Sequence, residues 1–404
     1  MEKLYPFGAW VYPPKEELGL GAVEDWAEMG LTVTMTSPFG STDKELDEMV
    51  KYLDKAAECG IKLIVNANAL TYWAMNSHGI EKYTEDFKKI YARVKGHPAL
   101  YGFFIGDEPS TAKSLESTIN GMKIQKQLAP ELNPLINFQG SLCDYGKDKL
   151  GGRTFVEWLK YFKEETGVDY YCWDEYSQMI NDGGVTIYFN TLKAHADACK
   201  EAGLKHWATL LSTAHWCFRA PNEYEYMWQI TTAAACGVNG IYWFRLYDRK
   251  IAPECYGSPI DEYGYKTERY YALLRCQRRF QAQYGQIIST LKWKNSYFVG
   301  FPYGSFDQFG EGTHDCVTAV DCFERALISF FEDENGTEYC TVVNLEKKQL
   351  ADVHLTLDCN KASYTKIERN GKSATPFAGY TDIWAGEGLL LYPGQMAMFR
   401  IDRK

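Results

Sequence analysis

The stretch "LYGFFIGDEPS" (100–110) decides the fold. It runs aromatic and apolar from Leu100 to Ile105, ends on two adjacent acids, Asp107 and Glu108, and is broken at once by Pro109. The apolar run predicts a buried strand, with the acids at its exit. Carboxylates there read two ways. They are a helix start, with Pro109 at the first helical position and capping residues in "EPSTAKSLES", or they are catalytic acid over a pocket.

Working outward, seven more runs of the same kind bracket this one. They are "YPFGAWVY" (5–12), "LTVTMTSPF" (31–39), "KLIVNANAL" (62–70), "PLINFQGS" (134–141), "DYYCWDEY" (169–176), "HWATLLST" (206–213) and "GIYWFRLYD" (240–248). Amphipathic segments lie between them. In "DKELDEMVKYLDKAAECG" (43–60), Leu46, Met49, Leu53 and Ala56 recur at helical spacing and Gly60 marks the stop. "TFVEWLKYFKEETG" (154–167) has the same character. Eight strand–helix units over about 290 residues predict a (β/α)8 TIM barrel. A doubly wound open sheet fits less well, because no Gly-rich phosphate loop follows the first strand.

From about residue 292 the pattern changes. "ALISFFEDENGTEYCTVVN" (326–344) predicts paired strands around an Asn335-Gly336 turn. "GLLLYPGQMAMFRI" (388–401) reads in the same manner. The expected division is a barrel over 1–291 and a small C-terminal antiparallel β-sandwich over 292–404. Asn335-Gly336-Thr337 matches a glycosylation sequon, but the hairpin explains it.

Composition narrows the partners. The chain has 404 residues, 46% of them hydrophobic, and a net charge of −10. With no Lys/Arg cluster on one helix face, that charge argues against nucleic acid. No apolar run approaches a membrane span, and the N-terminal residues lack a signal-peptide core. The twelve cysteines show no CxxC pair and no Cys/His ligand spacing. The expectation is a cytoplasmic protein with reduced thiols, no metal and no cofactor, acting on a small molecule. A homo-oligomer is left open.

In such barrels the chemistry sits at the C-terminal ends of the strands. Strand four delivers Asp107 and Glu108, strand five Asn137, and strand six Trp173, Asp174, Glu175 and Tyr176. Strand seven brings Ser212, Thr213, His215 and Trp216; strand eight brings Trp243, Arg245, Tyr247 and Asp248. The first three add Trp10, Tyr12, Ser37, Asn66, Asn68 and Trp73. Carboxylates and amides grip sugar hydroxyls, and aromatic faces take the apolar side of a sugar ring. Glycosidic hydrolysis needs an acid for the leaving oxygen and a second group for the oxocarbenium-like centre. Glu108 is the expected acid, with Phe103, Phe104 and Ile105 expected to desolvate it.

These segments resemble a known family. "GHPALYGFFIGDEP" (96–109) is similar to the strand-four segment of clan A TIM-barrel glycosidases, where a His-Pro-Ala-Leu run leads to an Asn-Glu whose Glu is the acid/base. "INFQG" (136–140) and "VDYYCWDEY" (168–176) resemble strands five and six of the bacterial β-galactosidases of that clan. "IDEYGYKTERYYALL" (260–274) is similar to their segment after strand eight, and "LLLYPGQMAMFRI" to their C-terminal β domain. The departures are as informative. The family's strand-seven nucleophile is missing, since "ATLLSTAHW" (208–216) holds no carboxylate, and Asp107 stands where the family has Asn.

Two routes to the second group stay open. "GDE" (106–108) resembles the pair of substrate-assisted N-acetylhexosaminidases, whose Asp orients the sugar's own acetamido group. The resemblance implies that role for Asp107, with Tyr176 or Tyr247 on the acetamide oxygen and Trp243 flooring the pocket. Alternatively a strand-six carboxylate, Asp174 or Glu175, acts opposite Glu108. The Trp173-Asp174 match places Asp174 in the pocket and leaves Glu175 as rim ligand or outward ion-pair partner. The expected sugar contacts are Trp10, Asn66, Asn137, Trp173, Tyr176, His215, Trp216, Trp243, Arg245 and Tyr247. A non-catalytic sugar-binding barrel is the competing class.

Overall fold

Eight parallel strands, six inside the predicted runs and the last two starting one and two residues ahead of theirs, form a single sheet in the computed structural model, which describes residues 4–181, 183–249, 255–371, 374–376 and 384–404. They are β1 (Phe7–Ala9), β2 (Val33–Met35), β3 (Lys62–Val65), β4 (Leu100–Asp107), β5 (Leu135–Gln139), β6 (Tyr170–Asp174), β7 (Lys205–Leu211) and β8 (Val238–Phe244). Each pairs with its sequence neighbour from β2 to β8, and β8 pairs with β1. The seam between β1 and β2 is closed by Thr32, whose amide donates to Phe7 O at 2.8 Å. The buried Thr34 hydroxyl also bonds the Ala9 amide there. Gly8 permits that approach, since a Cβ would stand 2.2 Å from Val33 O.

Helices cover the outside, and their ends follow local chemistry. Asp43–Glu58 begins with a capping box, Thr42 with Glu45, and ends before Gly60 at φ 72°. Phe155–Thr166 is boxed by Thr154 and Glu157 and closed by Gly167 in the left-handed region. The helix after the acid pair, Ala112–Leu128, is capped by Thr111 with Ser114. The Asp107-Glu108-Pro109 run is therefore not the helix start that its sequence also allowed.

Strand alternation splits the apolar residues into two layers. Trp10, Phe104, Tyr170, Cys172, Trp207 and Tyr242 fill the barrel interior. Phe103, Ile105, Tyr171, Trp173 and Trp243 face the helices.

Beyond the barrel, Lys292–Val299, Ala326–Glu332, Glu338–Asn344, Met396–Arg403 and Ala362–Ile367 run antiparallel in one sheet. Val317–Cys322, Ala351–Asp358 and Trp384–Leu391 make a second, and one apolar core draws on both. The Asn335-Gly336 turn joins its hairpin as expected. The reading of 388–401 as another such hairpin is corrected, because its two strands lie in opposite sheets. The turn between them is held by Asn344, whose side-chain amide donates to Leu391 O at 2.8 Å. The sandwich docks on helix Glu223–Ala235, where Trp228 Nε1 donates to Leu345 O at 2.9 Å.

All twelve cysteines are free. His314, Asp315 and Cys316 bring potential ligand atoms together. However, His314 Nδ1 accepts the amides of Cys316 and Val317, and Asp315 is paired with Arg403. Among the described residues no helix is long and apolar enough to cross a membrane.

Candidate active site

Strand β4 breaks its own alternation to aim an acid inward. Phe104 faces the barrel and Ile105 the helices; the register then shifts before Gly106. Gly106 takes φ 148°, and a Cβ on it would lie 2.4 Å from the Tyr72 ring. That irregularity turns Asp107 into the barrel mouth. Glu108 follows at φ 43°, a left-handed conformation uncommon for a side-chain-bearing residue. Its amide is tied to Asn137 O at 2.8 Å, and its exposed carboxylate accepts from Gln139 Nε2 at 3.3 Å. Tyr145 in turn donates its hydroxyl to Gln139 Oε1 at 2.8 Å.

Asn137 ties two acids together. Its Nδ2 donates to Asp107 Oδ1 at 2.9 Å and to Asp174 Oδ2 at 2.8 Å. Its Oδ1 accepts the Thr209 hydroxyl at 2.9 Å. Asp174 Oδ1 also accepts the Gly140 amide at 3.2 Å, and the Asp174 carboxyl lies within hydrogen-bonding reach of Glu108. The mouth thus carries three carboxyl groups from two strand exits, two of them held by the Asn137 amide and Glu108 by Gln139.

Their protonation follows from burial and crowding. Burial, with the charge of Glu108, pushes Asp107 up to about 7 despite the Asn137 bond. Burial, then the neighbouring charges of Glu108 and Asp107, raises Asp174 well above the usual carboxylate range. The desolvation expected for Glu108 falls instead on Asp107 and Asp174. Phe103 and Ile105 point to the helices, and Glu108 itself is exposed.

The two strand-six acids separate as the pleat requires. Asp174 shares the inward face with Tyr170 and Cys172. Glu175 turns toward helix Gly184–Ala202, accepting the Thr191 hydroxyl at 3.2 Å and the Tyr176 amide at 3.1 Å. It makes no hydrogen bond to the other three. Burial raises its carboxyl as well.

Strand seven offers hydroxyls already engaged. Ser212 donates to Arg245 O at 2.8 Å and Thr213 to Tyr256 O at 3.0 Å, which fastens the segments after β8.

The remaining predicted residues divide. Trp10 and Asn66 line a pocket of about 220 Å³ together with Tyr12, Trp73 and Asp107. Tyr176 stands close to all three acids, its ring stacked on Phe244 at 5.7 Å. His215 lies under the exposed Trp216, ring centroids 4.4 Å apart, at the rim. Arg245 is buried beneath the Tyr12 ring at 5.2 Å, with Nε on Tyr247 O.

Three expected sugar contacts are corrected. Trp173 is fully buried, flat on His195 at 4.6 Å, its Nε1 on His206 Nδ1 at 3.2 Å. Trp243 is fully buried with Nε1 on Gln277 Oε1 at 3.1 Å. Both take outward positions on their strands and pack under helices. Tyr247 accepts Trp26 Nε1 with its hydroxyl at 2.9 Å and does not reach the acids.

Gln139, Tyr145 and Thr209 are the contributors that sequence reading missed. Gln139 was within reach, lying two residues after Asn137 on the same strand face. Tyr145 comes from a loop and gave no signal.

No family model and no curated protein matches the chain. Solved structures do. A protein described as a glycoside hydrolase superposes with TM-score 0.61 at 12% identity, over 98% of this chain and 92% of its own. A glycoside hydrolase family 5 protein from Bacteroides vulgatus gives TM-score 0.58 at 10% identity, over 99% and 89%. The β-galactosidase of the psychrophilic Marinomonas ef1 gives 0.55 at 11% identity over 74% of this chain, which spans only 64% of that enzyme. The chain therefore has the fold of the clan A TIM-barrel glycoside hydrolases.

Proposed function

We propose that the protein is a glycoside hydrolase in which Glu108 is the general acid/base and the substrate's own 2-acetamido group is the nucleophile, oriented by Asp107. The observation that carries this is the clustering of Asp174 with Glu108 and, through Asn137, with Asp107. A protein nucleophile or base must lie about 5–5.5 Å or 6.5–9.5 Å from the acid, across the anomeric carbon. Asp174 is close enough to hydrogen-bond Glu108, nearer than either spacing. Nothing at the end of β7 replaces it.

In this reading Asp174 keeps a proton and shares it with Glu108 along their hydrogen bond. Glu108 passes a proton to the glycosidic oxygen as the C1–O bond breaks. The acetamido oxygen closes onto C1, giving a cyclic oxazolinium ion, while Asp107 accepts the amide N–H through its unbonded oxygen. The alcohol leaves. Water then attacks C1, Glu108 takes its proton, and the ring opens with the original configuration.

The test is a panel of aryl glycosides with and without a 2-acetamido group. Turnover confined to the 2-acetamido sugars, abolished by Asp107→Asn, is expected. Ready hydrolysis of galactosides or glucosides, crippled by Asp174→Asn, would assign the second role to strand six. Binding of sugars with no turnover of any glycoside would make the barrel a binding protein.

A further inference from the structure

Strand β5 carries two amides to the barrel mouth, and both are wired in the same way. Asn137 has its oxygen pinned by the Thr209 hydroxyl, which leaves its nitrogen on Asp107 and Asp174. Two residues on, Gln139 repeats the pattern. Tyr145 donates its hydroxyl to Gln139 Oε1 at 2.8 Å, so Nε2 is the atom that donates to Glu108 Oε2 at 3.3 Å. An amide whose oxygen is held elsewhere can offer the acid only hydrogens, and a donated hydrogen favours the charged form of a carboxyl.

Tyr145 is fixed in turn by the segment it ends. The turn Gly140–Asp144 follows β5 directly, and the Tyr145 amide donates to Leu142 O at 3.1 Å. At the start of the turn the Gly140 amide donates to Asp174 Oδ1 at 3.2 Å, and Gly140 O bonds His195 Nε2 at 2.8 Å. A Cβ at Gly140 would stand 2.3 Å from Asp174 O, so only glycine permits this approach. One short segment thereby holds both Asp174 and, through Gln139, Glu108. The other ionisable groups around Glu108 are Asp107, Asp174, Tyr72, Tyr145 and Tyr176, with Lys149 over the Tyr145 ring at 4.3 Å. Among the described residues no Lys or Arg pairs with Glu108. The Gln139 hydrogen bond is therefore the contact that favours its carboxylate.

We propose that Gln139 and Tyr145 are positioning residues for the acid, Tyr145 fixing the Gln139 amide and the amide orienting Glu108 and stabilising its charge. The proposal rests on the hydrolase reading. As the glycosidic bond breaks, the proton passes from Glu108 to the leaving oxygen, and the Gln139 hydrogen bond strengthens on the carboxylate left behind. Gln139→Met, which keeps the length and removes the amide, and Tyr145→Phe should each lower kcat on glycans about three- to tenfold, with KM little changed. The high-pH limb of kcat/KM, which reports loss of the acid's proton, should move up by about half a pH unit in both. Because Tyr145 acts through Gln139, Tyr145→Phe should add nothing in the Gln139→Met background.

Losses that simply add in the double variant would overturn the relay. So would a raised KM with an unmoved pH profile, which would make Gln139 a sugar contact. If no glycoside turns over, the hydrolase reading falls, and the positioning role is decided by NMR titration of isotope-labelled glutamate carboxyls, with Glu108 assigned from its missing signal in Glu108→Gln. A Glu108 midpoint that rises in both single variants upholds the role; a midpoint unmoved in either overturns it.

Discussion

Thr209 donates its hydroxyl to Asn137 Oδ1 at 2.9 Å and, with the longer contact from Cys172 Sγ at 3.8 Å, sets which way the Asn137 amide faces. With the oxygen anchored on β7, both amide hydrogens point to carboxylates. Thr209→Val keeps the shape and removes the anchor, freeing the amide to rotate and present its oxygen to an acid. We expect a stability loss of about 1–2 kcal/mol, typical of a buried hydrogen bond. The pH profile of kcat/KM should change as well, because Asp107 and Asp174 lose a fixed donor. A loss of stability with an unchanged profile would reduce Thr209 to a packing residue.

Asp107 links activity to stability with opposite signs. Its carboxyl titrates at about 7 in the folded chain, against about 3.9 when unfolded. The folded state therefore binds this proton more tightly. The stability so gained is complete below about pH 4 and is lost as pH rises through 7. Asp107→Asn removes the titration. The variant should be the more stable by about 1–3 kcal/mol at pH 8, discounted for partial exposure and for coupling to Asp174, and should lose this advantage near pH 4. Under the substrate-assisted reading it should also be nearly inactive. Denaturant melts at the two pH values settle the first point, and equal differences at both would refute it.

Asn137→Asp replaces the shared donor with a further carboxylate between two acids already raised by burial. The variant should be destabilised by about 3 kcal/mol or more at pH 8, the scale of an uncompensated buried charge. It should recover part of that at pH 5, below the value of about 7 at which Asp107 titrates. A melting temperature that is independent of pH would show that Asn137 is not the hub the hydrogen bonds indicate.

The barrel was legible because its eight runs of apolar residues are long and spaced by amphipathic helices, so local pattern and topology agree. Asp107, Glu108, Asp174 and Asn137 were legible as strand-end polar residues. What could not be read was facing. "YYCWD" (170–174) is apolar on both sides of the pleat, so nothing local shows that Cys172 and Asp174 point in while Trp173 points out. The irregularity at Gly106, which aims Asp107, sits against the Tyr72 ring of the helix before β4, over thirty residues away in sequence. The final strand crosses between sheets because Asn344, over forty residues earlier, holds the turn.

That facing gives a direct test. Trp173→Ala and Trp243→Ala should each cost about 3–5 kcal/mol, as for large aromatics removed from a packed core. The milder Trp173→Phe and Trp243→Phe should leave KM unchanged, because neither ring reaches the pocket. A raised KM in the Phe variants, with stability retained, would return these residues to the sugar site.

Glu108 is the residue on which the chemistry depends most. It is exposed, and its polar contacts are a 3.3 Å bond from Gln139 and the proximity of Asp174, so Glu108→Gln should leave the fold and melting temperature intact. Loss of the general acid should cost at least about a hundredfold in kcat on natural glycans. Aryl glycosides with good leaving groups need less protonation and should lose less in the first step. Their second step still requires a base to deprotonate water, so a burst of aryl alcohol followed by slow turnover is expected. Added azide, which needs no deprotonation, should restore turnover of the aryl substrates and not of the glycans. Near-wild-type turnover of a natural glycan by Glu108→Gln would place the acid elsewhere, with Asp174 the next group to test.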